Sequence, residues 1–309
     1  MNKGKAFELL VKYILMSVGF SEVNSDGIYI FDGPPGQMIQ GLGESHNADV
    51  LLEPPVQIPF YSMSRLLVEC KCYKQKVGLN TVRAVLGLRE DINHFDIVDL
   101  NELQVRRQQN RSKNIYNYDR YYYQVAIAST NGFSIQAQNF AATYRIPLIE
   151  FNKMPFWKDY INAFNYTDGF CYEPNLIPNE ETIIKQAVEI GQRMAVAITN
   201  LGQILFLYNQ DNRSIDFDDN YTLHWHHPKE PWELRTGYNT YLFQLPKDIL
   251  KVWLNKSVTE LDMKCSAINC KATFLSNMVV YYSDEYRQSK IKMISIDITQ
   301  LNAARMAVE

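Results

Sequence analysis

The segment LLVECKC, residues 66–72, decides how this chain is read. In an extended strand, residues of equal parity share a face, so Leu67, Glu69 and Lys71 point one way and Val68, Cys70 and Cys72 the other. The second set is small and apolar and suits packing against a helix. The first ends in a carboxylate and an ammonium side by side, on a strand apolar enough to be central in a sheet. Such charges are costly to bury unless they are partnered or used. A second apolar strand, ADVLL at 48–52, carries Asp49 twenty residues before Glu69, and a hairpin-like connection brings it beside Glu69. Two neighbouring carboxylates repel, and each prefers protonation unless a cation lies between them. Mg²⁺ resolves that conflict, because it takes oxygen ligands and keeps waters, one of which can attack a phosphodiester. Lys71 can then hold or help deprotonate that water and stabilise charge developing on the phosphorane.

Outward from that segment the hydrophobic pattern alternates between two periods. Phe7, Leu10, Val11, Ile14, Leu15 and Val18 form one helical stripe, ended by Gly19. Glu8 lies in register with Val11 and Leu15, at the edge of that stripe, where a carboxylate needs a partner. Strands are expected around 28–31, 48–52 and 65–73, with GPPG at 33–36 separating the first two. A helix follows from Asn80, placed to cap it, to about Phe95. YYYQVAIAST at 121–130 reads as a buried strand, 134–146 as a helix and PLIEF at 147–151 as a strand. This succession is an α/β pattern around a mixed sheet. Residues 152–178, rich in aromatics, Asn and Pro, mark a boundary. Beyond it lie a helix from Glu180 to about Gly191, a hairpin formed by RMAVAIT and QILFLYN, and strands near 240–244, 278–282 and 292–297. The chain is thus divided into an α/β domain at 1–155, a linker at 156–178 and a C-terminal α+β domain at 179–309.

Bulk composition excludes several classes. With 46% hydrophobic and 21% charged residues the chain is not a disordered one, and no run of about 18 apolar residues spans a membrane. Lys5, Glu8 and Lys12 interrupt the apolar N-terminus, which is expected to be an amphipathic helix rather than a signal peptide, with a cytoplasmic address. Five cysteines are too few, and odd in number, for a disulfide framework. A net charge of −3 does not announce a nucleic-acid binder. Charge is distributed unevenly, however: Arg106, Arg107, Arg111, Lys113 and Arg120 stand against the single acid Asp119, interleaved with Tyr116 and Tyr118. That stripe either touches phosphates or is a solvated loop. His46, three residues before Asp49, either orients a phosphate or water or is simply solvated. In the C-terminal half, Trp225, Trp232, Tyr238 and Tyr241 with Arg235 form either a reading surface or a core with wet edges.

An acid, a gap, then an acid, one residue and lysine is the pattern of the PD-(D/E)xK nuclease superfamily, here Asp49 followed by Glu69, Cys70 and Lys71. GKAFELLVKYILMSVGF at 4–20 resembles the opening helix of its Mrr-like branch, with Glu8 matching the acid of that helix. GLGESHNADVLLE at 41–53 resembles the glycine-rich approach to the first catalytic aspartate. LLVECKCYKQKVGLNTVRAVLG at 66–87 is similar to the catalytic strand and the helix after it, and residues 125–150 to the closing strand, helix and strand. The resemblance covers about residues 1–152 and departs from the family in the basic insertion at 99–120. It implies a restriction-endonuclease-like core, a mixed central sheet flanked by helices, with Glu8, Asp49, Glu69 and Lys71 as catalytic residues. It further implies metal binding by Asp49, Glu69 and the Cys70 backbone carbonyl, with Mg²⁺ as cofactor and Mn²⁺ able to substitute. The expected activity is DNA endonuclease cleavage in restriction or anti-phage defence. Expected partners are DNA, a second copy of the chain, and a helicase, methylase or other defence-system subunit. A silent nucleic-acid-binding or regulatory subunit on the same fold, and a nuclease acting on RNA, are the competing readings.

Overall fold

The computed structural model describes residues 2–34, 36–57, 62–95, 120–163, 179–211, 214–224, 232–245 and 259–306. Strand β6 (Met63–Lys71) organises the N-terminal half. Its neighbours are β5 (Val50–Glu53), antiparallel, and β7 (Tyr121–Ser129), parallel along its whole length. β1 (Ser21–Glu22) and β8 (Leu148–Glu150) complete a mixed five-stranded sheet of order β1-β5-β6-β7-β8. The parallel pairs need crossovers. One helix, α3 (Ile135–Tyr144), makes the crossover from β7 to β8, and α2 (Leu79–His94) follows β6. An antiparallel three-stranded sheet of β2 (Ile30–Gly33), β3 (Gly36–Gln40) and β4 (Ser45–Asn47) precedes Asp49, with Gly33 paired to Gly36 where β2 meets β3.

Both faces of the mixed sheet are covered. Leu51, Leu67, Val125 and Ile127 pack with Val82 and Val85 of α2 and Ala137 and Ala141 of α3. Val50, Leu52, Val68, Cys70 and Ala126 pack under α1 (Lys3–Ser17), as the parity of LLVECKC requires. Asn2 caps α1 by accepting the Lys5 N–H at 2.8 Å, and the stripe predicted from Phe7 to Val18 is buried. The cap of α2 differs from expectation. Gly78 is the N-cap and Asn80 lies inside the first turn, because the helix begins at Leu79, two residues earlier than a cap at Asn80 would start it.

The C-terminal half is a seven-stranded antiparallel sheet of order β11-β12-β13-β10-β9-β14-β15. Its strands are β9 (Met194–Thr199), β10 (Ile204–Asn209), β11 (Thr222–His224), β12 (Trp232–Arg235), β13 (Thr240–Phe243), β14 (Asn277–Ser283) and β15 (Ser289–Ser295). β9 and β10 form the expected hairpin. One face buries Trp232, Tyr241 and Phe243 with Cys270 of α6 (Glu260–Phe274); α7 (Ile298–Met306) follows β15. The other face belongs to the same core as α1. Met194, Val196, Phe206 and Tyr281 join Leu10 and Ile14, together with Ile183 and Ala187 of α5 (Glu180–Gly191). α1 is therefore covered on both sides.

Residues 157–163, placed in the linker by composition, form helix α4 (Trp157–Ala163), with Trp157, Tyr160 and Ile161 buried in that shared core. Among the described residues of that stretch, the aromatics Phe156, Trp157 and Tyr160 are core packing, and Trp157 meets Phe7 and Phe151 edge to face at centroid distances of 6.5 and 6.0 Å. Gly191 marks where α5 closes on α1, since a Cβ there would lie 2.3 Å from the Ser17 Cβ. Among the described residues no helix is long and apolar enough to cross a membrane.

Candidate active site

The pairing of Val50 with Val68 sets Asp49, one residue before β5, opposite Glu69. Asp49 does not extend the ladder with its backbone. Its Oδ2 instead accepts the Cys70 N–H at 2.8 Å, and its Oδ1 accepts Asn47 Nδ2 at 3.3 Å. The Cys70 carbonyl points to the same side as its N–H, toward Asp49 and past the end of β5. Lys71 shares a face with Glu69 and forms an ion pair with its Oε1; both side chains are more than four-fifths buried. Glu8 stands on α1 with its Oε2 3.1 Å from Lys5 Nζ.

These groups are electrostatically one system. Burial, then the charge of Glu69, raises the Asp49 carboxyl above its ordinary value, against the Cys70 N–H and Lys71. Burial, then Asp49, likewise raises Glu8, against Lys5 and Lys71. For Lys71 burial acts downward, but Glu69 and Asp49 outweigh it and hold the ammonium above its ordinary value. Burial pushes the Cys70 thiol well up, with Asp49, Glu8 and Glu69 adding to it, so this sulfur is packing rather than nucleophile.

Asp49 and Glu69 present hard oxygen donors that repel each other, and the Cys70 carbonyl adds a third. That set suits Mg²⁺, which is held by one or two carboxylates with its remaining positions on water. Among the described residues, no group of three or more His, Cys, Asp and Glu side chains is placed to hold a metal ion. Glu8 is coupled to the other groups electrostatically, since Asp49 raises its carboxyl and it adds to the rise of the Cys70 thiol.

His46 is placed elsewhere than expected. Its Nε2 lies 2.7 Å from Asp91 Oδ2 on α2, and the other Asp91 oxygen accepts the Gly43 N–H at 2.8 Å. The His46 ring and these backbone donors hold Asp91 below the usual carboxylate range. Gly41 is required in this loop, because a Cβ there would lie 2.0 Å from Asp91 Oδ2. The cluster ties the β3–β4 connection to α2, so His46 is a clasp on the loop that leads to Asp49 and is not turned to the carboxylates. The local group that sequence reading passed over is Asn47, which parity with Asp49 places on the same face. Glu150 was also missed. It lies in the register row of Lys71 and Ser129, paired with Lys153.

Arg106, Arg107, Arg111 and Lys113 lie outside the described residues, as do Tyr116, Tyr118 and Trp225. Arg120 immediately precedes β7, at the end paired with Met63. Lys71 pairs with Ser129 at the other end, and eight steps of about 3.3 Å put the two ends about 26 Å apart. Arg120 therefore enters far from the carboxylates. Trp232 and Tyr241 are buried and Tyr238 is exposed, so the aromatic cluster of the second half is chiefly core. No family model and no curated protein matches the chain. Among solved structures it is similar to a crystal structure of the protein of unknown function AF1548, with 14% identity over 62% of this chain and 79% of that one and a TM-score of 0.34.

Proposed function

We propose that the chain is a Mg²⁺-dependent DNA endonuclease of the PD-(D/E)xK type, serving restriction or anti-phage defence. The carrying observation is that Asp49, turned out of its ladder to accept the Cys70 N–H, faces Glu69, with Lys71 on the same strand face. The element order supports the reading. A leading helix, an antiparallel pair with Asp49 just before one strand and Glu69 on the other, and then helix, parallel strand, helix and parallel strand are the order this reading expects.

In this reading Asp49, Glu69 and the Cys70 carbonyl hold Mg²⁺, with Mn²⁺ able to replace it. The bound ion supplies charge neutralisation of the phosphodiester and a water of lowered pKa. Lys71, kept protonated by its two acidic neighbours, positions N–H donors where negative charge develops. Glu8 adds negative field that retains the cation. Asn47 orients the Asp49 carboxylate through Oδ1. The test is incubation with Mg²⁺ of supercoiled, linear and single-stranded DNA and of RNA. Cleavage of DNA is expected, and RNA cleavage alone would replace the substrate.

One observation favours a second reading, a silent nucleic-acid-binding or regulatory subunit. The Glu69–Lys71 ion pair satisfies both charges without any metal. Melting with and without Mg²⁺ or Mn²⁺ separates the two, because a ligand bound only by the folded state raises the melting temperature by mass action. Millimolar metal without a shift supports the silent subunit.

A further inference from the structure

Asp91 joins two parts of the chain that reach the carboxylates by separate routes. It lies in the last turn of α2, the helix that follows the Glu69–Lys71 strand. Both ends of α2 are tied to the sheet region. Just before its start, Val77 donates its N–H to the Gly132 carbonyl and accepts that of Ser134, each at 2.9 Å. At its end Asn93, two residues after Asp91, exchanges two bonds with the Tyr123 backbone on β7, at 2.7 and 2.9 Å. Ile92, between them, is buried. The Asp91 carboxylate is thus carried on a fixed mount.

From this mount Asp91 grips the segment that leads to Asp49. Its Oδ1 accepts the Gly43 N–H at 2.8 Å, its backbone carbonyl accepts the Leu42 N–H at 3.2 Å, and its Oδ2 lies 2.7 Å from His46 Nε2. His46 belongs to β4, a three-residue strand at the edge of its sheet with β3 as its neighbour. A strand that short, bonded along one side, has little ladder to fix its orientation. Alternation sends the His46 side chain to one face of β4 and the Asn47 side chain to the other. Asn47 donates its Nδ2 to Asp49 Oδ1 at 3.3 Å. A roll of β4 about its axis therefore moves His46 and Asn47 together, and the bond to Asp91 opposes that roll. The other Asp49 oxygen accepts the Cys70 N–H at 2.8 Å. The contacts close a ring from β6 through α2, Asp91, His46 and Asn47 to Asp49, and back to β6.

We propose that Asp91 and His46 are positioning residues whose contact seats the Asp49 carboxylate against the Cys70 N–H. Neither belongs among the groups placed at the reacting atoms; they act through β4 and Asn47. The proposal rests on the nuclease reading for what Asp49 does, which is to hold the cation, and on the bonds above for where Asp49 is held.

The test is native-state amide hydrogen exchange, followed by NMR without added metal, on the wild-type chain, His46→Leu, Asp91→Ala and His46→Gln. The Cys70 amide reports its bond to Asp49, and the Ile127 amide, bonded to the Pro147 carbonyl at 2.9 Å, reports the sheet itself. His46→Leu and Asp91→Ala break the contact from its two sides, so that one remains if the other fails to fold. Each is expected to speed exchange at Cys70 about tenfold and to leave Ile127 unchanged. His46→Gln keeps an N–H donor for Asp91 and is expected to retain the wild-type rate at Cys70. A merely structural role accelerates both amides together, and that result overturns the proposal. So do a Cys70 rate unchanged in both disabling variants and a His46→Gln rate no slower than that of His46→Leu. Plasmid cleavage with Mg²⁺ is measured on the same proteins, so the two readings fail separately. A chain that never cleaves but shows the Cys70 effect loses the nuclease and keeps the positioning pair. A chain that cleaves with Cys70 unmoved does the reverse.

Discussion

Asp49 is held at a cost to folding, which makes it the residue whose removal is most informative. Its carboxyl is raised by burial and by Glu69, so its folded value lies above its unfolded one. For a carboxylate that sign means a contribution to stability that is complete below the unfolded pKa and is lost as pH rises through the folded one. Asp49→Asn keeps an oxygen that can accept the Cys70 N–H and removes the charge. It is expected to stabilise the protein at neutral pH by on the order of 1 kcal/mol, with the gain vanishing in acid where Asp49 is already protonated. Urea denaturation at a series of pH values checks this; a variant less stable than wild type at pH 7 contradicts it. At this scale the sequence disclosed much. Strand parity placed Glu69 with Lys71, and two apolar strands placed Asp49 against them. It could not disclose that His46 turns to Asp91, because that contact spans 45 residues and a loop whose shape depends on α2.

At the scale of elements, the strongly periodic segments were legible and the weakly periodic ones were not. α5 was read to its bounds from Glu180 to Gly191, and the β9–β10 hairpin from its two apolar runs. α6 was not foreseen, because Cys270 is its one buried residue and no apolar stripe marks it. The available signal was local: Thr259 and Asp262 form a reciprocal capping box at its start. β12 lies in a stretch read either as an aromatic reading surface or as a core with wet edges, and the sheet buries Trp232 and Leu234 by alternation, in keeping with the second. The contact between α1 and α5 has its own prediction. At Gly191 an added Cβ would meet the Ser17 Cβ at 2.3 Å and the Ile14 carbonyl at 3.2 Å, backbone and side chain of a helix packed on both sides. Gly191→Ala is expected to destabilise by about 2 kcal/mol, read from the urea midpoint. A neutral substitution would show that α1 and α5 are not tightly apposed.

At the scale of the whole molecule, the composition-based division into two units conceals a common core. Leu10 and Ile14 of α1 pack with the mixed sheet on one side and with Met194, Val196 and Phe206 on the other. Local periodicity reports that a helix has a buried stripe; it does not report how many partners share it. Urea unfolding followed by tryptophan fluorescence and by far-ultraviolet circular dichroism is expected to give one coincident transition, as a shared core requires. Two separated transitions would show that the halves fold independently. The same core fixes the catalytic proposal in space, since α1 presents Glu8 and Lys5 beside Asp49 while its far side is held by the C-terminal sheet.

The most direct measurement is Mg²⁺-dependent cleavage of supercoiled plasmid by the wild-type protein, Asp49→Ala and Lys71→Ala, purified in parallel and shown to melt cooperatively. Wild-type protein is expected to nick or linearise the plasmid with Mg²⁺ or Mn²⁺ and not in EDTA, and each variant to lose at least about a hundredfold in rate. Cleavage that persists undiminished in both variants would contradict the account.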